Sequence, residues 1–201
     1  MPSPSPLQPG CYYHIFNRGN NRENIFIEAR NYDYFMNLYA RYIEPLADTY
    51  AYCLMRNHFH FLVRIREEDE TLKVSKTFRV SIDASHAFSN LFNAYAKAIN
   101  KAHDRTGSLF EHPFGRLQID SKDHFTRLIV YIHQNPQKHG FVKDFRQWPY
   151  SSYRALISSL ATFLKRQEIL EWFGGREGFV NLHQGLVQGK VLGQFTSGDP
   201  D

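Results

Sequence analysis

The sequence predicts an α+β fold: a ferredoxin-like, split βαβ antiparallel sheet with helices packed on one face, followed by a further helix. Two observations lead there. Short aromatic and β-branched runs alternate with helix-period stretches in the order β-α-β-β-α-β, and turn residues separate them. A chain of 201 residues, 42% of them hydrophobic, suits one domain with a real core.

The elements follow in order. Cys11 to Phe16, CYYHIF, reads as the first strand, and the Asn and Gly of NRGNNREN signal a turn after it. Phe35, Leu38, Tyr39, Tyr42 and Ile43 recur at the period of an amphipathic helix that stops before Pro45. TYAYCLM and HFHFLVRI are two strands joined as a hairpin around Arg56 and Asn57, and the polar REEDETLKVSKTF is expected to cross the surface. Ala84, Ala87, Phe88, Leu91, Phe92, Tyr95, Ala98 and Ile99 give a second periodic helix, with Gly107 beyond its end as the expected terminator. SLFEHPFGRLQI reads as an edge strand interrupted at Pro113. Ser121 can cap a third helix with the apolar face Phe125, Leu128, Ile129 and Ile132, ending at Asn135 and Pro136. The organisation expected is a disordered arm over 1–10, the domain over 11–157, and a short helical appendage with a polar tail over 158–201.

Composition narrows the class. The net charge of +4 is modest, but the arginines and lysines are interleaved with 12 tyrosines and 17 phenylalanines, a mixture suited to phosphates and unstacked bases. Cys11 and Cys53 form no CxxC, which argues against a disulfide framework or a thiolate metal site and fits a reducing cytoplasm. MPSPSPLQPG has neither the basic nor the apolar region of a signal peptide, and no apolar run approaches a membrane span. A cytoplasmic protein without a membrane partner is the expectation.

RNHFHFLVR carries the first chemical signal. Period-two alternation puts Phe59, Phe61, Val63 and Ile65 on one face, the core face, and His58, His60, Leu62 and Arg64 on the other, less buried one. An H-x-H on a strand points two imidazoles the same way and can hold one cation; it equally fits two polar residues on a solvated face. Motifs of other two-histidine enzymes are missing: positions 62 to 64 are Leu, Val and Arg, which excludes HxHxDH and histidine-triad patterns. The second signal is RLIVYIHQNPQKHG. Tyr131 and Asn135 stand one helical turn apart, with Arg127 a turn earlier, on a stripe about 100° around from the apolar face and therefore expected along the helix flank.

YHIFNRGNNRENIF, AYCLMRNHFHFLV and YIHQNPQKHGFV followed by WPYSSY, in this order, resemble the single-tyrosine HUH transposases, and among them the REP-associated tyrosine transposases of the IS200-like superfamily. The resemblance covers about Cys11 to Tyr153. It implies that His58 and His60 form the HUH motif, that Tyr131 is the nucleophile carried by the further helix, and that Asn135 is the third ligand of Mg2+ or Mn2+; ligand type alone does not exclude Zn2+. It also implies an enzyme that cleaves and rejoins single-stranded or hairpin DNA through a 5′-phosphotyrosine, as a single chain or a homodimer. The common ending Asn-Pro-x-Arg-Ala-Gly is here NPQKHG, with Lys138 and His139 in place of Arg and Ala. Arg18, Arg22, Arg64, Arg116 and Lys138 are the candidate DNA contacts. The rival readings are a domesticated hairpin-binding protein that cuts nothing and a replication-initiator or relaxase nuclease.

Overall fold

The computed structural model describes residues 6–67 and 83–187. The stretch expected to cross the surface lies for the most part outside them, as does the polar tail. Strand β1 (Tyr12–Arg18), helix α1 (Ala29–Tyr42), strands β2 (Ala47–Leu54) and β3 (His58–Ile65), helix α2 (Ala84–Ala102), strand β4 (Gly115–Ile119) and helix α3 (Lys122–Lys138) follow the expected order. Three shorter helices close the described chain: α4 (Tyr153–Ile157), α5 (Arg166–Trp172) and α6 (Arg176–Val187). The strands pair antiparallel in the order β2-β3-β1-β4, the ferredoxin-like arrangement. Among the described residues no helix is long and apolar enough to cross a membrane.

Alternation along the strands sorts the side chains into two cores. Tyr13, Ile15, Phe59, Phe61, Val63 and Ile65 pack against Phe35 and Tyr39 of α1 and Phe88, Leu91 and Tyr95 of α2. Each such buried aromatic removes enough apolar area from water to contribute roughly 1.5–3 kcal/mol. On the opposite face Ala51, Cys53, Leu62 and Ile119 meet Phe125, Leu128 and Ile129 of α3, backed by Ile169 of α5 and Phe179 of α6. A register shift between Thr49 and Ala51 lets Tyr50 and Ala51 both join this second core, while Thr49 stays on the first, bonded to Tyr39 Oη at 2.8 Å.

Several sequence expectations need adjustment. The face bearing the histidines is not the open one, because α3 and the helices after it cover it. The segment from 158 onward is part of that cover: Leu164, Ile169, Phe179 and His183 are buried, and Lys165 N–H donates to the Thr49 carbonyl at 3.0 Å. Leu7, within the expected arm, is also buried, and Gly10 N–H donates to the Ile65 carbonyl at 2.8 Å. Helix α2 ends at Ala102 with His103 as its C-cap and Asp104 at φ 49, ahead of Gly107. Helix α3 is capped by Ser121 as expected but continues through Pro136 for a last turn, closed by the 2.9 Å bond from His139 N–H to the Asn135 carbonyl.

Candidate active site

The site forms where β3 and β1 lie beneath α3. Phe16 pairs with His60 and Arg18 with His58, so directly opposed residues share a face and His14, Phe16 and Arg18 join the two histidines there. Gly115 pairs with Phe16 across β4, and a Cβ on it would stand 2.2 Å from the Phe16 ring; the missing side chain makes room for that ring, 4.8 Å from His14 and 6.1 Å from His60.

The two imidazoles are 5.3 Å apart, and each is oriented through Nδ1. His58 Nδ1 lies 2.8 Å from Asn57 Oδ1 and His60 Nδ1 lies 2.9 Å from His14 Nε2, which assigns Nε2 of both rings to any metal. Burial, reinforced by the neighbouring His14, His58 and His139 and by Lys138, holds His60 well below the ordinary histidine pKa; burial also pulls His14 down to about 3. Neutral rings at pH 7 are what ligation requires.

Helix α3 lays one stripe across this pair. The Tyr131 ring is 5.7 Å from His60 and 6.5 Å from His14, and two turns later the His139 ring is 4.9 Å from His58. Asn135 sits midway on the same stripe, one turn from Tyr131 and one from His139. The stripe lies inward rather than along the helix flank, with Tyr131 1% and Asn135 0% exposed, because the short helices behind α3 bury its other sides. Both amide atoms of Asn135 are buried with no hydrogen-bond partner among the described residues. A native buried amide normally finds partners, which makes Asn135 a candidate to take one from outside the protein. Among the described residues no three His, Cys, Asp or Glu side chains are grouped to hold a metal ion. The two imidazoles and the Asn135 amide oxygen are the side chains here that could hold a divalent cation, with coordination positions left for water and phosphate.

The five candidate DNA contacts divide. Lys138 places Nζ 5.2 Å from the Tyr131 ring centroid, and Arg18, nine-tenths buried beside His58, has an Nε with no hydrogen-bond partner among the described residues. Arg22 is exposed on the turn after β1, at φ 61. Arg64 lies at the far end of β3, opposite Tyr12 and 3.6 Å from Asp48. Arg116 is on the wrong face for this site: it pairs with Ile15 and reaches Ser85 Oγ at 2.9 Å, stacked 3.9 Å over Phe114. Sequence reasoning missed His14, whose only signal is its parity with Phe16 and Arg18 once β1 is paired, and saw His139 only as a departure from a motif. Removing the His14 partner by His14→Ala is expected to weaken Mn2+ binding about 10- to 100-fold, measured by titration of DNA-free protein.

No family model matches the chain. A Haemophilus influenzae protein named as a REP-associated tyrosine transposase is 25% identical over 108 residues, 53% of this chain and 58% of that relative, so the match spans little more than half of the relative's length. The solved structure of a REP-associated tyrosine transposase bound to a REP hairpin matches with a TM-score of 0.61 and 17% identity, over 81% of this chain and 88% of that one. At this identity the structural match speaks for the fold. An antiparallel ferredoxin-like sheet with a histidine strand beneath a tyrosine-bearing helix defines the class. Within it, the chain is similar to REP-associated tyrosine transposases, in sequence over about half its length and in fold over most of it.

Proposed function

We propose that this chain cleaves and rejoins single-stranded or hairpin DNA, with Tyr131 as the nucleophile and His58, His60 and Asn135 as the ligands of Mg2+ or Mn2+. The observation that carries the reading is the buried amide of Asn135, whose polar atoms have no hydrogen-bond partner among the described residues, on the helix stripe between Tyr131, which meets His60, and His139, which meets His58. A protein that only bound hairpins would have no use for an unsatisfied amide at that place.

Tyr131 Oη attacks the scissile phosphorus in line; the Oη–P bond forms, the P–O3′ bond breaks, and the phenolic proton leaves as the departing 3′ oxygen gains one. The products are a 5′-phosphotyrosine and a 3′-hydroxyl, and attack by a second 3′-hydroxyl reverses the step and joins new ends. When bound, the cation supplies Lewis acidity toward the phosphate. His14 and Asn57 hold the ligand rings in orientation, and the Lys138 ammonium favours negative charge on the phenolate as it forms. Arg18 supplies a cation beside His58 for a phosphate oxygen, and Arg22 and Lys138 extend the positive path for the strand.

DNA binding tests the substrate class. Hairpin DNA is expected to compete better than blunt duplex of the same sequence, since a flanking single strand must enter beneath α3. With Arg18, Arg22 and Lys138 each on one phosphate, log K should fall against log salt with a slope of about −2 for a single strand, and Lys138→Ala should remove about 0.7 of it. Equal competition by hairpin and blunt duplex would count against this reading. Hairpin binding without covalent attachment to any flanking single strand would make the chain a domesticated binder.

A further inference from the structure

A hydrogen-bonded chain crosses the second core from β2 to α6. Tyr52 N–H donates to Ser152 Oγ at 2.9 Å, Ser152 Oγ lies 2.8 Å from His133 Nε2, His133 Nδ1 lies 2.8 Å from His183 Nε2, and His183 Nδ1 lies 2.7 Å from the Phe179 carbonyl. The carbonyl can only accept, so His183 carries its proton on Nδ1 and its Nε2 accepts. His133 must then donate from Nδ1 and accept at Nε2 from the Ser152 hydroxyl. One tautomer of each ring satisfies the whole chain, both rings neutral.

Ser152, His133 and His183 have no exposed surface, so this serine and histidine cannot meet a substrate as nucleophile and base. Their place on the helix suggests another role. His133 is two residues from both Tyr131 and Asn135, which at 3.6 residues per turn puts it about 200° around, on the back of the stripe that faces the histidines. Gln134 Nε2 donates to the His183 carbonyl at 2.7 Å, so two successive residues of α3 grip one residue of α6. Pro136, two residues after Gln134, has no N–H for the Ile132 carbonyl, so the backbone ladder is interrupted at the turn that carries Asn135. Side-chain bonds to α6 must fix what the ladder does not.

We propose that His183, acting through His133, is a positioning residue: α6 sets the rotation and depth of α3, and with them the approach of Tyr131 and Asn135 to His58 and His60. The proposal rests on the reading of Tyr131 as nucleophile and Asn135 as ligand. A buried polar network in which every member is satisfied specifies one arrangement, and a misplacement near 1 Å is enough to spoil an in-line attack.

The test uses two variants of the full chain, each assayed well below its own melting temperature. His183→Phe keeps a ring but leaves His133 Nδ1–H without an acceptor, whereas His183→Gln can present an amide oxygen near the place of Nε2. The single-turnover rate of attachment to a labelled hairpin at saturating DNA should fall about 100-fold in His183→Phe, with hairpin Kd unchanged. Mn2+ affinity of the DNA-free protein should fall in parallel, and His183→Gln should restore both. A His183→Phe protein that melts earlier yet keeps the wild-type rate and Mn2+ affinity overturns the proposal, since α6 would then be packing alone. If wild type binds Mn2+ but attaches no DNA, the nucleophile reading fails while the Mn2+ arm still decides whether α6 places Asn135. If it does neither, both readings fall together.

Discussion

Tyr131→Phe is expected to abolish covalent attachment of DNA, a loss of about 10³-fold or more, while hairpin affinity stays at the wild-type level. The substitution removes one oxygen and keeps the ring that packs against His60, so the cost in stability should stay below about 1.5 kcal/mol. No other tyrosine at this end of the domain can take over. Tyr150 stacks on Tyr32 with ring centroids 3.5 Å apart, and Tyr153 lies behind α3, its ring 5.7 Å from His133 and 5.2 Å from His183. Neither is part of the stripe that meets the histidines. The measurement is a denaturing gel of labelled hairpin incubated with Mg2+ or Mn2+ and each variant. Attachment that survives in Tyr131→Phe but disappears in Tyr153→Phe would overturn the assignment.

The pairing of His58 with His60 and of Tyr131 with Asn135 was legible because each depends on local geometry alone, the period of a strand and the turn of a helix. Depth was not legible. The cover over the histidine face comes from Leu164, Ile169 and Phe179, single apolar residues on short helices with no long periodic signal, and their segment reads as an appendage until β2 and α3 are in place. His14 and Arg116 show the same limit in opposite directions. The face each occupies is set by pairing with a distant strand, and in β4 the break at Pro113 hides the parity that sends Arg116 away from the site. Position 139 was visible as a departure from a motif, but only the approach of α3 to β3 brings its ring beside His58.

Those same buried imidazoles should make the fold acid-labile. Burial pulls His183 down to about 4 against the donated bond to the Phe179 carbonyl, and pulls His133 well below its ordinary value, with His183 adding to the effect. Burial likewise lowers His14 to about 3 and His60 well below the ordinary range. In the unfolded chain these groups titrate near 6.5. A depressed folded pKa means that below 6.5 the unfolded chain binds more protons, so the stabilisation is whole above that pH and is lost as pH falls toward 4 for His183 and 3 for His14. At about 1.4 kcal/mol per pH unit, His183 alone would cost the fold about 3 kcal/mol over its window, a large share of a typical domain's stability. The geometry gives the same sign: a proton added at His183 Nε2 would face the His133 Nδ1–H, donor against donor, and the His14–His60 contact would fail in the same way. Urea unfolding in EDTA should therefore give a stability that falls steeply between pH 6.5 and 4, and His183→Phe should make the slope shallower by up to about 1.4 kcal/mol per pH unit. A flat profile across that window, or a slope that His183→Phe leaves unchanged, would mean that these rings are not held neutral by the fold.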